Sequence, residues 1–244
     1  MNLRLFATTL TASIGLILSA PSVAILVVSQ PGAVSPTDQR PLGATAEFTY
    51  DSGCTADCAL TVELTNTETM TGISQGLTDF HFTTTATNLT LTGADAQSFA
   101  DCSSGTNPCT FTTALFDPDS YGWTLTGSGS FTLAATPLND AGIVNGQIDA
   151  TSDGVSNAQH NPWLVGPVDF LFTYSGAFDL SNVSFSFGTV PTTPTVPGCT
   201  TDCCTSTNCN DQNVPEPATL TLVGLGLAGG ALARRRNHKQ GRPA

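Results

Sequence analysis

Phe170-Leu171-Phe172-Thr173-Tyr174 and Val183-Ser184-Phe185-Ser186-Phe187 decide the fold class. In each, the aromatic side chains recur at every second residue, which gathers them on one face of a strand and would scatter them around a helix. The same period extends outward through the chain. Leu60, Val62 and Leu64 alternate with Thr and Glu, Phe80 and Phe82 bracket His81, Leu89 and Leu91 alternate with Thr, and Phe131-Thr132-Leu133 repeats the theme. About ten such runs lie between Ala44 and Thr189, separated by Gly, Asn, Asp and Ser, the pattern of half-buried antiparallel strands. None of this region reads as an amphipathic helix longer than two turns. The expectation is an all-β body, an antiparallel β-sandwich or jelly roll over 44–189, with the apolar face inward and the Thr-rich face wet. A fixed-length repeat, which would indicate a propeller or solenoid, is missing.

Composition narrows the functions such a body can have. The 244 residues hold only 7 Lys and Arg against 19 Asp and Glu, a net charge of −12. Binding to nucleic acid needs clustered cations, so it is excluded. Of the seven bases, Arg4 stands near the N-terminus and Arg234, Arg235, Arg236, Lys239 and Arg242 near the C-terminus, leaving Arg40 alone between them. Residues 25–217 carry that one base and all 19 acids, a charge of −18. The cations therefore belong to the ends, and the body is acidic and lysine-free.

The two ends are a different kind of sequence. Met1-Asn2-Leu3-Arg4, the apolar run Leu5 to Ala20, and Pro21-Ser22-Val23-Ala24 have the three-part layout of a signal peptide over 1–24, cut after Ala24. Residues 25–43, with Pro31, Gly32 and Pro36, read as a disordered leader. At the far end stand Val214-Pro215-Glu216-Pro217, an uncharged stretch from Ala218 to Ala233, and Arg234-Arg235-Arg236. Sixteen helical residues reach about 24 Å, short of the roughly 30 Å of a hydrocarbon core, so 218–233 is a short, transient membrane helix. The arginines hold 237–244 in the cytoplasm and leave the body outside. Gly224-Leu225-Gly226-Leu227-Ala228-Gly229 matches a dinucleotide fingerprint in letters only, since no βαβ unit surrounds it and no acid follows.

The tail over 214–236, with its Val-Pro-Glu-Pro, short apolar helix and arginine cluster in order, resembles the PEP-CTERM sorting signal of bacterial exported proteins. The resemblance implies that Val214, Pro215, Glu216, Pro217 and Arg234 to Arg236 are read by an exosortase, a membrane transpeptidase that cuts near Pro-Glu-Pro. It implies a chain passing from the inner membrane to the cell surface or exopolysaccharide matrix.

Between body and tail, Pro191, Pro194 and Pro197 recur at the polyproline period, so 190–213 reads as an extended stalk. Eight cysteines in an exported chain argue for disulfides. Cys54–Cys58 and Cys102–Cys109 are expected as local loops, while Cys199, Cys203, Cys204 and Cys209 leave the pairing open, the vicinal Cys203-Cys204 being the disfavoured bond. Zinc held by those last four is the rival reading. No cofactor motif is found.

Chemistry is sparse. His81 points away from the core face and His160 sits in a loop, and neither belongs to a G-x-S-x-G or H-E-x-x-H motif. Asp117, Asp119, Asp149 and Asp153 flank Gly turns and are the weak candidates for Ca²⁺. The sequence thus reads as a non-enzymatic structural or adhesive matrix protein. Two alternatives stand beside it. A carbohydrate- or calcium-binding module needs Trp123, Trp163 or Tyr121 exposed beside acids, and a polysaccharide hydrolase needs two carboxylates facing across a cleft.

Overall fold

The computed structural model describes residues 22–113, 122–135, 142–190 and 193–200. Residues 1–21 of the expected signal peptide, the membrane helix 218–233 and the cytoplasmic tail lie outside them, and no described helix is long and apolar enough to cross a membrane. The described chain is strands joined by turns, with two 3₁₀ turns at Ile73–Gln75 and Ala158–His160. In order these strands are β1 (Ser22–Ser29), β2 (Ala44–Asp51), β3 (Cys58–Asn66), β4 (Leu77–Thr84), β5 (Thr87–Asp101) and β6 (Thr110–Thr112). Then follow β7 (Trp123–Ser128), β8 (Ser130–Ala135), β9 (Ile143–Val144), β10 (Trp163–Ser175), β11 (Leu180–Val190) and β12 (Thr193–Thr200).

All-β is correct, but the sandwich or jelly roll is not what these strands build. They belong to one sheet, and its hydrogen-bond path returns on itself: β10-β3-β2-β1-β12-β11-β4-β9 and back to β10. Eight strands therefore make a closed barrel, with β5 and β6 extending from β10, and β8 and β7 from β4. Closure rests on the shortest strand. Ile143 of β9 pairs with Leu164 of β10 and with Leu77 of β4. Period-two alternation specifies an inner face, and an inner face suits a sandwich and a barrel alike.

The predicted leader and stalk each contribute a strand to the barrel wall, β1 through Ser29 and β12 from Thr193 to Thr200. Ile25 and Val27 point inward and are buried, and β1 pairs with β2 from Ser22↔Asp51 to Val28↔Thr45. The period-two pattern of the body thus continues into Ile25-Leu26-Val27-Val28, and the turn at Pro31-Gly32 ends it. On its other edge β1 pairs with β12, which also pairs with β11, so Thr193–Thr200 fills the last gap between the first and eleventh strands. Proline needs no amide donor, and Pro197 still contributes its carbonyl to Gln30 N–H at 2.9 Å. Gly198 is required by the fit: a Cβ there would stand 2.8 Å from Val27 Cγ1 and 3.0 Å from Phe185 Cε2.

Inside the ring the alternating face becomes a filled core. Ile25, Phe48, Val62 and Phe170 lie in register across β1, β2, β3 and β10. From the opposite wall come Phe80 and Phe82 of β4 with Phe185 and Phe187 of β11, all buried. Phe48 spans the diameter, its ring 5.7 Å from Phe80 and 5.6 Å from Phe82. Each such side chain stabilises by about 1.5–3 kcal/mol of burial. Trp123 of β7 packs on Phe170 at 5.1 Å and joins the β7–β8 extension to the same core. A smaller cluster of Met70, Cys102, Cys109, Val144, Val155 and Trp163 caps one end.

The closing strand is held by a side chain. Asn66, buried at the end of β3, donates through Nδ2 to Gln75 O at 2.6 Å and to Ile143 O at 3.0 Å, and its Oδ1 accepts from Glu68 N–H at 3.0 Å. Asn66→Ala leaves two buried carbonyls and an amide without this partner, at an expected cost of about 3 kcal/mol, since each buried unsatisfied group costs about 1–3 kcal/mol. Urea unfolding measures it, and a loss below about 0.5 kcal/mol would show that closure does not depend on this residue.

Candidate functional site

The residues with a readable function and the residues with a described geometry are different ones. Val214, Pro215, Glu216, Pro217 and Arg234 to Arg236 lie outside the described residues, as do Cys203, Cys204, Cys209, Asp117, Asp119 and Tyr121. Ala24, after which the signal peptide is expected to be cut, lies within β1 opposite Thr49. Both local disulfides are present, Cys54–Cys58 beside the start of β3 and Cys102–Cys109 under the end cluster. Cys199 is disulfide-bonded too.

The calcium candidates that can be placed serve a turn. Asp149 Oδ1 accepts from Asn107 Nδ2 at 2.7 Å, Thr151 Oγ1 at 2.7 Å and Thr151 N–H at 3.1 Å, and Oδ2 accepts from Ser152 Oγ at 2.7 Å. Those donors, the Thr151 side chain first, hold its carboxyl far below the ordinary range. Its lone pairs are thus spent on N–H and O–H groups that stitch Asn107, within the Cys102–Cys109 loop, to the segment at 149–152. Asp153 is exposed, and its carbonyl accepts from Ile73 N–H. Among the described residues no group of three or more His, Cys, Asp or Glu side chains is placed to hold a metal.

The tryptophans are interior. Trp123 is 1% and Trp163 2% exposed, so neither can lie flat under a sugar ring. Trp163 donates through Nε1 to Val155 O at 3.3 Å, and the half-buried His160 stacks over it at 6.3 Å.

His81 is not the simple exposed strand histidine that alternation suggests. One ring nitrogen lies 2.9 Å from Thr132 Oγ1 and the other 3.3 Å from Ser186 Oγ, which in turn lies 3.4 Å from Thr195 Oγ1. Burial lowers its pKa, against the pull of the Asp79 carboxylate two residues back on the same face. A histidine beside a serine hydroxyl is the pairing that nucleophilic catalysis uses. Here Ser186 is 0% exposed, so the contact ties β4, β8, β11 and β12 together and offers no hydroxyl to a substrate. Both residues are readable as outward positions in Phe-x-Phe and Ser-x-Ser patterns, but only strand pairing makes them neighbours.

The strongest electrostatic feature was not legible either. Glu47, Glu63, Asp169 and Asp95 stand directly opposite one another across β2, β3, β10 and β5, a row of four acids on the outer face. Burial raises the Glu63 carboxyl, and Asp169 and Glu47 on either side raise it further. Asp169 is raised by burial and then by Asp95.

One hollow of about 470 Å³ opens at the barrel end where the β4–β5 turn meets the β7–β8 turn. Thr84, Thr85, Thr87, Asn88 and Ser128 line it, with Leu89 and Phe131 at its apolar side and no ionised group.

Comparison with known proteins supplies what this body does not. Residues 213–236 match the PEP-CTERM protein-sorting motif, and the chain therefore carries that motif over the tail on which the resemblance rested. The motif implies exosortase-dependent processing of an exported chain. No curated protein and no solved structure matches the chain.

The acid row makes a signed prediction. A carboxyl raised in the folded state contributes stability that is fully present below its unfolded pKa and lost as pH rises through its folded one. Glu63→Gln therefore raises the melting temperature at pH 7, by the equivalent of about 0.5 kcal/mol for a screened like-charge cross-strand pair. The gain shrinks as pH falls into the carboxylate range and is erased at about pH 3. A gain unchanged between those pH values would mean that side-chain size, not charge, is responsible.

Proposed function

We propose that this protein is an exported, exosortase-processed component of the cell surface or exopolysaccharide matrix, with a structural or adhesive role and no catalysis. The sorting motif at 213–236 carries this reading. The body supports it in kind: its interior is filled by aromatic side chains, its Ser-His contact is inaccessible, and its two local disulfides suit an oxidising exterior. With one arginine and no lysine in 25–217, contact with acidic polymers runs against the field of the body, so neutral glycans or other proteins are the fitting partners.

The surface form should begin at Ile25 and end near Pro215–Pro217, so its intact mass lacks both the signal peptide and Arg234–Arg236. Retention of the arginines on surface-exposed protein would overturn processing. The released body should also co-sediment with the exopolysaccharide fraction and liberate no reducing sugar from it.

A second reading, a carbohydrate-binding module, is favoured by the hollow alone: uncharged hydroxyl and amide groups in a space of about 470 Å³ suit a neutral saccharide. A neutral-glycan array distinguishes the two. Binding abolished by Ser128→Glu, which would place a carboxylate in the hollow, supports this second reading; binding indifferent to that change places any glycan contact elsewhere.

A further inference from the structure

Strand pairing collects the small polar side chains of β7, β8, β4 and β11 on one outer wall. The buried aromatic and aliphatic residues of these strands point inward, so alternation turns the Ser and Thr positions between them outward. Register then lines them up. Ser128, Ser130, Thr83 and Ser181 stand opposite one another in one row across the four strands. Thr126, Thr132, His81 and Ser184 form the next row. At the usual strand spacing a row of four spans about 14 Å, the length of about three pyranose units.

These four strands present no ionised side chain to water among the described residues. Their one acid, Asp79, is buried, and burial lowers the His81 pKa, which keeps the ring neutral at pH 7. The wall on β2, β3, β10 and β5 is the opposite, with Glu47, Glu63, Asp169 and Asp95 in one row. Charge therefore sorts the partners of the two walls. An anionic polymer is repelled by a body with one base and 19 acids, and a cationic one is drawn to the acid row. What the hydroxyl wall suits is an uncharged, hydroxyl-rich partner.

The wall is held in place and leads into a cavity. His81, bonded to Thr132 Oγ1 at 2.9 Å and Ser186 Oγ at 3.3 Å, ties β8, β4 and β11 together, and the hydroxyls of Ser130, Thr83, Ser181, Thr126 and Ser184 are not consumed by that network. At the β7–β8 turn the first row runs into the hollow of about 470 Å³, and Ser128 belongs to both. By itself the hollow offers a sugar little. Thr85 and Thr87 already donate their hydroxyls, to Ala177 O at 3.1 Å and Ser175 O at 3.2 Å, so its exposed side chains with donors to spare are Asn88 and Ser128. Each hydrogen bond to a sugar replaces one to water and adds little, so affinity has to accumulate over further units along the wall.

We propose that the hollow and the hydroxyl wall form one continuous track for an extended neutral polysaccharide, with one sugar unit seated in the hollow at Ser128 and the following units lying over Ser130, Thr83, Ser181 and Thr126. This rests on the saccharide reading of the hollow and extends it from a single unit to a chain. It also gives an adhesive role a defined contact surface, with the acid row left outside the contact. Because the groups on both sides are uncharged, the binding is indifferent to ionic strength.

The test uses the purified full chain, in a detergent without a sugar headgroup, and the uncharged exopolysaccharide of the producing cells. That polymer is the fraction that passes an anion exchanger, partly hydrolysed into single sugars and fragments of about six units, with concentrations counted in sugar residues. The long fragments should bind at least about tenfold tighter than the single sugars, and equally at low and high salt. Thr126→Glu, at an exposed position of β7, should remove that advantage and leave single-sugar binding within about twofold. Thr126→Val keeps the β-branched shape, loses the hydroxyl and should weaken long-fragment binding about threefold, which decides the matter should the Glu variant not fold. Long and single fragments bound equally, or long-fragment binding unmoved by the change at Thr126 in a variant with an unchanged melting temperature, overturn the track and leave the hollow as the site. A chain that binds neither fragment overturns the saccharide reading and the track with it.

Discussion

Ring closure is the constraint on which this structure depends, and it is met at two places of very different strength. At one, β12 lies between β1 and β11 and joins the first strand of the body to the last. At the other, two residues of β9 bridge β4 and β10, and Asn66 reaches from the end of β3 to hold the Ile143 carbonyl. An open sheet of this kind would present unpaired edges and a half-covered aromatic face to water. Closing it lets Phe48 touch Phe80 and Phe82 across the diameter, so the described interior is packed with aromatic side chains.

Outside the ring, two walls carry polar groups of different kinds. The outer face of β2, β3, β10 and β5 concentrates acids in a row whose repulsion the filled core offsets. The outer face of β4, β8 and β11 is a hydrogen-bonded patch around His81. These two walls differ in their response to acid. Protonation relieves the first. In the second, the unfolded histidine takes up a proton more readily than the folded one, so falling pH withdraws stability as it passes through the ordinary histidine range.

The placement of the ends connects fold to export. The ring needs both β1, at the N-terminal side of the described chain, and β12, twelve residues ahead of the sorting motif, so it is complete only when the chain up to Thr200 is available. A cut near Pro215–Pro217 falls beyond every described strand. The expected cut after Ala24 is less neutral. It takes Ser22, Val23 and Ala24 from the ladder with β2 while keeping the buried Ile25 and Val27.

The sequence alone determined strand content, the inward identity of Phe80, Phe82, Phe170, Phe172, Phe185 and Phe187, the two local disulfides and the sorting tail. Each is a local property: a period of two, a short spacing between cysteines, or a contiguous motif read by an external enzyme. Only the tertiary structure decided that the sheet closes into a barrel, that the supposed leader and stalk each supply a strand to it, that both tryptophans are buried, and that Glu47, Glu63, Asp169 and Asp95 confront one another. Alternation says which side of a strand faces the core but carries no information about which strand lies beside it. Every one of those outcomes is a matter of neighbours, set by how the whole apolar face is buried at once.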